Sequence, residues 1–217
     1  PHGRTLKDEE IVPLLKDCAG VIAGTENYSS AVIRHLPQLK VISRCGVGMD
    51  NIDPAAAKEH KLKLFNTPEG PTLAVAELVI GLMLNLLRNI SLMDREVRQG
   101  VWSKKMGFLL RGKNVGIIGF GRIGQAVAKL SKALGANVFY SDLNIKKSPV
   151  AGVKSLTFKD ILQECDILTV HVPYNEQTMG LLGAQAFAQM KQDNFLINCS
   201  RGGIVNEFEL HKALKEK

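Results

Sequence analysis

Residues Asn114–Ala128 read NVGIIGFGRIGQAVA, and this stretch decides the fold. Asn114–Ile118 is a short apolar run with the length and composition of a buried parallel strand. It runs directly into Gly119-Phe120-Gly121-Arg122-Ile123-Gly124, and then into a helical pattern over Gln125–Leu134. A G-x-G-x-x-G between strand and helix predicts a tight turn at Gly119, a pyrophosphate approaching Gly121, and close helix–strand packing at Gly124. An anion there would sit at the helix N-terminus, where unpaired N–H groups and the helix dipole favour negative charge.

Glycine-rich turns are common, so the second half of the pattern carries weight. Asn137–Ser141 (NVFYS) reads as the next strand and Asp142 follows it. Asp142 lies 18 residues beyond Gly124, close to the roughly 20 expected of the acid that holds the ribose hydroxyls. The alternative is an ordinary strand-end turn residue. Strand, glycines, helix, strand and acid in that order favour a dinucleotide-binding unit.

The remaining composition narrows the class. At 217 residues the chain is long enough for one large or two modest domains, each with its own core. Hydrophobic residues at 45% and charged residues at 23% are ordinary for a soluble globular protein. Cys18, Cys45, Cys165 and Cys199 show neither C-x-x-C spacing nor a histidine at metal-ligand spacing, so no metal site is expected. A reducing, cytoplasmic setting is the simplest account. No signal peptide or unbroken apolar run of about 20 residues is present, which argues against a membrane partner. The formal charge of +7 raises the question of nucleic acid, but Lys and Arg are scattered and Trp102 is the single tryptophan. No nucleic-acid partner is expected.

From the N-terminus, helix and strand alternate. Helical patterns cover Asp8–Asp17, with Pro13 suggesting a kink or late start, then Ser29–Leu36 and Asp53–His60. Asp53 suits an N-cap with Pro54 at the first helical position. Strands are expected at Gly20–Gly24, Leu39–Ser43 and Leu62–Asn66, and the alternation predicts a parallel α/β layer. Thr72–Met93 is the longest helical pattern and is apolar nearly all round, so it should be buried as a connector between two domains or subunits. Beyond Asp142 come a helix over Phe158–Cys165 capped by Thr157, a strand over Ile167–Val172, a helix over Gly183–Met190, a strand over Asn194–Asn198, and a last helix from near Glu207.

Candidate chemistry lies where strands end. Arg44-Cys45-Gly46-Val47-Gly48-Met49-Asp50-Asn51 follows a strand, and its two glycines expose backbone N–H groups where open sheets bind anions. Arg201 follows another strand and precedes two glycines. A guanidinium there suits a planar carboxylate or a carbonyl oxygen, gripped by two parallel hydrogen bonds. A flexible turn and a surface arginine are the plainer alternatives.

Resemblance decides between them. The runs RCGVGMDNID at Arg44–Asp53, NTP at Asn66–Pro68, AE at Ala76 and Glu77, GFGRIG, HVP at His171–Pro173 and SRGGIVNE at Ser200–Glu207 match one family in order. The chain from about Asp17 onward resembles the D-isomer-specific 2-hydroxyacid dehydrogenases, and most closely their 3-phosphoglycerate dehydrogenase branch.

That resemblance implies an α/β fold of two doubly wound parallel-sheet domains. A flavodoxin-like substrate domain would cover residues 1–73. A Rossmann NAD-binding domain would cover 74–217, including a long connecting helix at 74–93, with substrate and NAD in the cleft between domains. By similarity, Val47 and Gly48 offer N–H groups to the substrate carboxylate near the nicotinamide, and Arg44 assists substrate binding. Arg201 corresponds to the catalytic arginine that orients the carboxylate and polarises the C2 oxygen. Gly119, Gly121, Arg122, Ile123 and Gly124 match the pyrophosphate turn, Asp142 the ribose acid, and Val172, Pro173, Cys199 and Ser200 the lining of the NAD site.

The family's acid–base histidine and its acidic partner lie several tens of residues beyond the position that Arg201 matches, past Lys217. His171 is a strand-end packing residue on this reading and His211 a helix-surface one, so the chain is expected to be a fragment cut at both ends and inactive alone. The implied activity is NAD-dependent oxidation of a D-2-hydroxy acid by a cytoplasmic homodimer, with D-3-phosphoglycerate to 3-phosphohydroxypyruvate, a step of serine biosynthesis, as the leading substrate pair. Ala23-Gly24-Thr25 lacks a basic residue that some phosphoglycerate enzymes carry there. A glyoxylate or hydroxypyruvate reductase and an NAD-sensing corepressor are the alternatives. Asp142 argues against the 2′-phosphate of NADPH that such a reductase would prefer.

Overall fold

The computed structural model describes residues 4–145 and 147–216, and in it helix and strand alternate from Asp8 as far as Asn66. Helix α1 (Asp8–Leu15) carries Asp8, Glu9 and Glu10 in its first turn, where the helix dipole favours negative charge. The Glu10 carboxylate accepts the Lys7 N–H at 2.9 Å. Pro13 lies inside this helix without ending it. Strand β1 (Gly20–Ala23) leads to α2 (Ser30–Arg34), where the Ser29 hydroxyl accepts the Val32 N–H. Strand β2 (Val41–Arg44) leads to α3 (Pro54–Glu59), and Asp53 caps it by accepting the N–H groups of Ala55 and Ala56, both at 2.9 Å. Such a cap is worth about 1 kcal/mol. Strand β3 (Lys63–Asn66) completes a parallel sheet in the order β1-β2-β3.

The register sets Ala23 beside Arg44 and Arg44 beside Asn66, so the three strands end level. Ile11, Tyr28, Val32, Ile33, Leu36, Ile42 and Ala56 form the core of this layer. Ile22 and Phe65, at alternate strand positions, are exposed.

The chain divides into two units, Pro1–Pro71 and Thr72–Lys217. The second opens with α4 (Thr72–Arg88) and α5 (Ile90–Arg98). The continuous helix expected over 74–93 is therefore two helices, bent by 64°. Asn89 breaks it by adopting a left-handed conformation, φ 56°, which Asn tolerates better than most residues. The Asn85 side chain then accepts both the N–H and the hydroxyl of Ser91 at 2.8 Å, starting the new helix. Ala76, Val79, Met83 and Leu87 form one buried stripe, while Leu73 and Leu78 are exposed. Among the described residues no single helix is long and apolar enough to cross a membrane.

There follow β4 (Asn114–Ile118), α6 (Arg122–Ala133), β5 (Asn137–Ser141), β6 (Lys154–Ser155), α7 (Phe158–Glu164), β7 (Ile167–Val170), α8 (Ala184–Phe187), β8 (Phe195–Asn198) and α9 (Glu207–Lys215). The five strands are parallel in the order β6-β5-β4-β7-β8. From β4 the chain winds first to one side and then to the other, so the sheet reverses direction between β4 and β7. In open α/β sheets that is where ligands bind, outside the carboxyl ends of the strands.

Both faces are covered. Val115, Ile117, Val138 and Tyr140 pack with the α4 stripe and with Val127 and Ala128 of α6. Ile118, Leu168 and Val170 pack with Ile161 and Leu162 of α7 and Ala186 of α8. Gly116 in β4 makes room for α7, since a Cβ there would lie 2.7–2.8 Å from Ile161, Cys165 and Leu168 atoms. Burial pushes the Cys165 thiol up to about 12, so this cysteine is an inert core residue.

Candidate functional site

The turn after β4 is built as its three glycines require. Gly119 has φ +91°, and a Cβ there would lie 2.7 Å from the His171 carbonyl group at the end of β7. A Cβ on Gly124 would run into the Gly119 carbonyl oxygen, so the first turn of α6 lies directly on the strand end. Gly121 differs, because a Cβ there meets nothing within 4 Å. Two glycines are thus demanded by the protein's own packing, and the third faces open space. Phe120, between them, is fully buried and stacks on Tyr140 with ring centroids 4.0 Å apart. The Gln125 side chain donates to the Phe120 carbonyl at 2.9 Å.

Gly121 is the N-cap of α6 and supplies no side-chain cap to its first N–H groups. Arg122, exposed, and Ile123, partly buried, open the helix. Uncapped N–H groups, a dipole end and open space beside a glycine suit a pyrophosphate. Asp142 stands at the end of the neighbouring strand. One carboxylate oxygen accepts the Phe120 N–H at 2.7 Å, and the other accepts those of Asn144 and Ile145 at 2.8 and 2.9 Å. The acid is therefore oriented beside the glycine turn. On these observations the residues fit a dinucleotide.

Two further loops lie at the same end of this sheet. Val172 and Pro173 follow β7, and Cys199, Ser200 and Arg201 follow β8. The Ser200 hydroxyl donates to the Val172 carbonyl at 2.5 Å, joining them. The Arg201 carbonyl accepts the Asn198 side-chain amide at 2.8 Å, and the Asn198 amide oxygen accepts the Ser200 N–H. Arg201 is partly buried, and its Nη1 donates to the Ser200 carbonyl at 2.9 Å. His171 contacts the buried Thr169 hydroxyl through Nε2 at 2.9 Å, and burial pushes its imidazole down to about 4. A neutral, packed imidazole is poorly placed to exchange protons near neutral pH. His211 is exposed on α9.

In the first unit, Arg44 closes β2, and the turn after it is held from β3. Thr67 accepts the Gly46 N–H through its hydroxyl at 2.8 Å and returns its own N–H to the Gly46 carbonyl. The Asn66 side chain donates to the Val47 carbonyl at 2.8 Å. The N–H groups of Val47 and Gly48 find no hydrogen-bond partner among the described residues, and Arg44 Nε is buried without one. Arg44 Nη1 meets the Cys45 carbonyl. Unpaired donors in the turn after a parallel strand suit a carboxylate.

Thus Gly119, Gly121, Arg122, Ile123, Gly124, Asp142, Val172, Pro173, Cys199, Ser200 and Arg201 share the strand ends of one sheet. Arg44, Val47 and Gly48 share those of the other. Sequence reasoning used Asn66 and Thr67 only as part of a family motif and gave no part to Asn198, yet all three hold these loops. Their signal is a short hydrogen-bonding side chain just where a strand stops. Among the described residues no group of His, Cys, Asp and Glu could hold a metal ion.

Residues 80–217 match the family described as D-isomer specific 2-hydroxyacid dehydrogenase, NAD binding domain. The chain belongs to this family. Its second unit contains the family's NAD-binding domain, and NAD is the cofactor of that domain. D-3-phosphoglycerate dehydrogenase of Archaeoglobus fulgidus is 41% identical over 213 residues, covering 96% of this chain and 40% of that protein. The chain thus spans about two-fifths of the length of the curated relatives it matches. Among solved structures, the TT0316 protein of Thermus thermophilus superposes with a TM-score of 0.90 at 31% identity, covering 98% of this chain and 70% of that one. An NAD-dependent formate dehydrogenase of Staphylococcus aureus in complex with NAD gives 0.88 at 30% identity, covering 96% and 65%.

Proposed function

We propose that the whole protein is an NAD-dependent oxidoreductase acting on the CH–OH group of a D-2-hydroxy acid. The observation that carries this reading is Arg201, braced at a strand end of the sheet whose neighbouring strands bear the glycine turn and Asp142. Bound NAD supplies a hydride acceptor. Gly119, Gly121, Gly124, Arg122 and Ile123 hold its pyrophosphate, and Asp142 its ribose. Val172, Pro173, Cys199 and Ser200 line the same site. Arg201 orients the substrate carboxylate and polarises the C2 oxygen with its two-pronged guanidinium. In the first unit, Val47 and Gly48 offer N–H groups to a substrate carboxylate, and Arg44 adds a positive charge beside them. On this reading residues 1–73 serve the substrate and 74–217 the cofactor.

D-3-phosphoglycerate is the finer substrate proposal. It is supported by the names of the curated relatives and by Arg44, while the solved relatives carry other substrate names. We assign the protein to the cytoplasm as a homodimer. Supporting the dimer, Trp102, Met106 and Leu109 are more than two-thirds exposed on one short segment, and exposed apolar patches mark association sites. Sedimentation of the whole protein with and without Trp102→Ala tests that assignment.

The function is tested by incubating the whole protein with NAD and a panel of D- and L-2-hydroxy acids, following NADH. Turnover of a D-acid and not its L-isomer is expected. NAD binding without turnover of any acid would leave a binding protein in place of an enzyme.

A further inference from the structure

Three braces pin the loop that carries Arg201. Two are the Asn198 amide on the Arg201 carbonyl and the Ser200 hydroxyl on the Val172 carbonyl. The third is an aromatic ring. Gly203 has φ +76°, and a Cβ built there would lie 2.9 Å from Tyr174 Cε2 and 3.5 Å from Cζ. The Tyr174 ring therefore rests on the Cα of Gly203, in space that any side chain at 203 would take. The Gly203 carbonyl accepts the Gly180 N–H at 2.8 Å, which fixes the same residue a second time.

Tyr174 is itself held. The Thr178 hydroxyl donates to the Pro173 carbonyl at 2.6 Å and accepts the Asn175 N–H at 2.9 Å. The Asn175 side-chain oxygen accepts the N–H groups of Gln177 and Thr178. The ring is nevertheless 43% exposed, so it is not a core side chain. It reaches from the loop after β7 across to the loop after β8. Without it, Gly203 keeps the Gly180 hydrogen bond, but Gly202-Gly203 regains part of the freedom that consecutive glycines bring, and Arg201 with it.

We propose that Tyr174 is a positioning residue for Arg201. Its ring, seated on Gly203, holds the loop after β8 in one conformation and so sets where the guanidinium points. This rests on the reading of Arg201 as the residue that meets the substrate carboxylate, and adds what keeps it in place. A misplacement of about 1 Å costs up to a hundredfold in rate, so a loosened loop should show in turnover before it shows in folding.

Two measurements test this together. In the chain itself, Tyr174→Ala should speed amide exchange over residues 199–204 by about tenfold or more and leave β7 and α6 unchanged. Tyr174→Phe should keep wild-type protection, because the ring carbons Cε2 and Cζ, which Phe retains, lie nearest Gly203. In the whole protein, Tyr174→Ala should lower kcat/KM for the 2-hydroxy acid about tenfold with NAD affinity within about twofold, and Phe should restore it. Unchanged exchange at 199–204 would overturn the proposal. So would faster exchange throughout the second unit, which would make Tyr174 a folding residue, or normal kcat/KM in an active Ala variant. A wild-type protein inactive on every acid would instead sink the dehydrogenase reading and leave the exchange result standing.

Discussion

The carboxylate of Asp142 accepts the backbone N–H of Phe120 at 2.7 Å, so the acid that ends β5 is tied to the glycine turn that ends β4. Its other oxygen, held by Asn144 and Ile145, completes a fixed negative charge beside the turn. Such a carboxylate accepts hydrogen bonds from ribose hydroxyls and repels a 2′-phosphate. NAD is therefore expected to bind at least tenfold more tightly than NADP, about 1.4 kcal/mol. Asp142→Asn should narrow that ratio. Lys147 lies nearby in sequence and Lys146 falls outside the described residues; a cation swung onto the phosphate would oppose the effect. Calorimetric titration with both dinucleotides decides, and equal affinities would remove Asp142 from the ribose.

Arg201→Lys keeps the charge and loses the fork that matches a carboxylate. In the whole protein kcat/KM should fall about a hundredfold, or about 2.7 kcal/mol of transition-state binding. NAD affinity should stay within about twofold. Near-normal turnover would return Arg201 to an ordinary loop residue.

Where sequence periodicity and turn chemistry agree, elements were legible to within a residue or two. Asn114–Ile118 and Asn137–Ser141 are the expected strands, and the expected Asp53 and Thr157 caps form. The long apolar pattern reads as one helix because Leu73, Leu78 and Leu86 continue it, although the chain by itself leaves them exposed. Its break depends on one left-handed residue, Asn89, and on the capping amide of Asn85, polar side chains that the apolar pattern outweighs. The two-residue strand β6 is too short for any periodicity. At the site, glycines and strand ends were readable because backbone geometry restricts which residues fit there. The braces were not. Tyr174 on Gly203 and Asn66 on Val47 join residues 19 or more positions apart, and although Asn66 stands where a strand stops, nothing local names the partner.

His171 makes the second unit sensitive to acid. Burial holds its imidazole near 4, against about 6.5 in an unfolded chain. Between those values the unfolded state binds up to one more proton than the folded state, so stability rises with pH across that window. Conversely, the contribution is intact above about 6.5 and is lost as pH falls toward 4, at up to about 1.4 kcal/mol per pH unit. His171→Gln should flatten the dependence by that amount. Urea unfolding of both proteins at several pH values measures it, and parallel curves would mean that His171 titrates normally when folded.

Gly121 and Gly124 belong to one motif but should fail in different ways when given a methyl group. At Gly121 the backbone is extended, φ −68° and ψ −165°, and a Cβ meets nothing within 4 Å. Gly121→Ala should leave stability within about 0.5 kcal/mol. The methyl instead occupies the space offered to the pyrophosphate, and NAD affinity should drop at least tenfold, about 1.4 kcal/mol. At Gly124 a Cβ runs into the Gly119 carbonyl oxygen and lies 3.1 Å from Ile117 Cγ2. Overpacking of this kind costs about 1–3 kcal/mol, whereas Ala gains about 1 kcal/mol over Gly inside a helix. The contact is with backbone, which gives less readily than a side chain, so the clash wins and Gly124→Ala should destabilise the second unit. Urea unfolding and calorimetric titration of both variants separate the two losses. A Gly121→Ala protein that binds NAD normally would mean that no phosphate approaches this turn, and a fully stable Gly124→Ala would mean that α6 can shift away from β4.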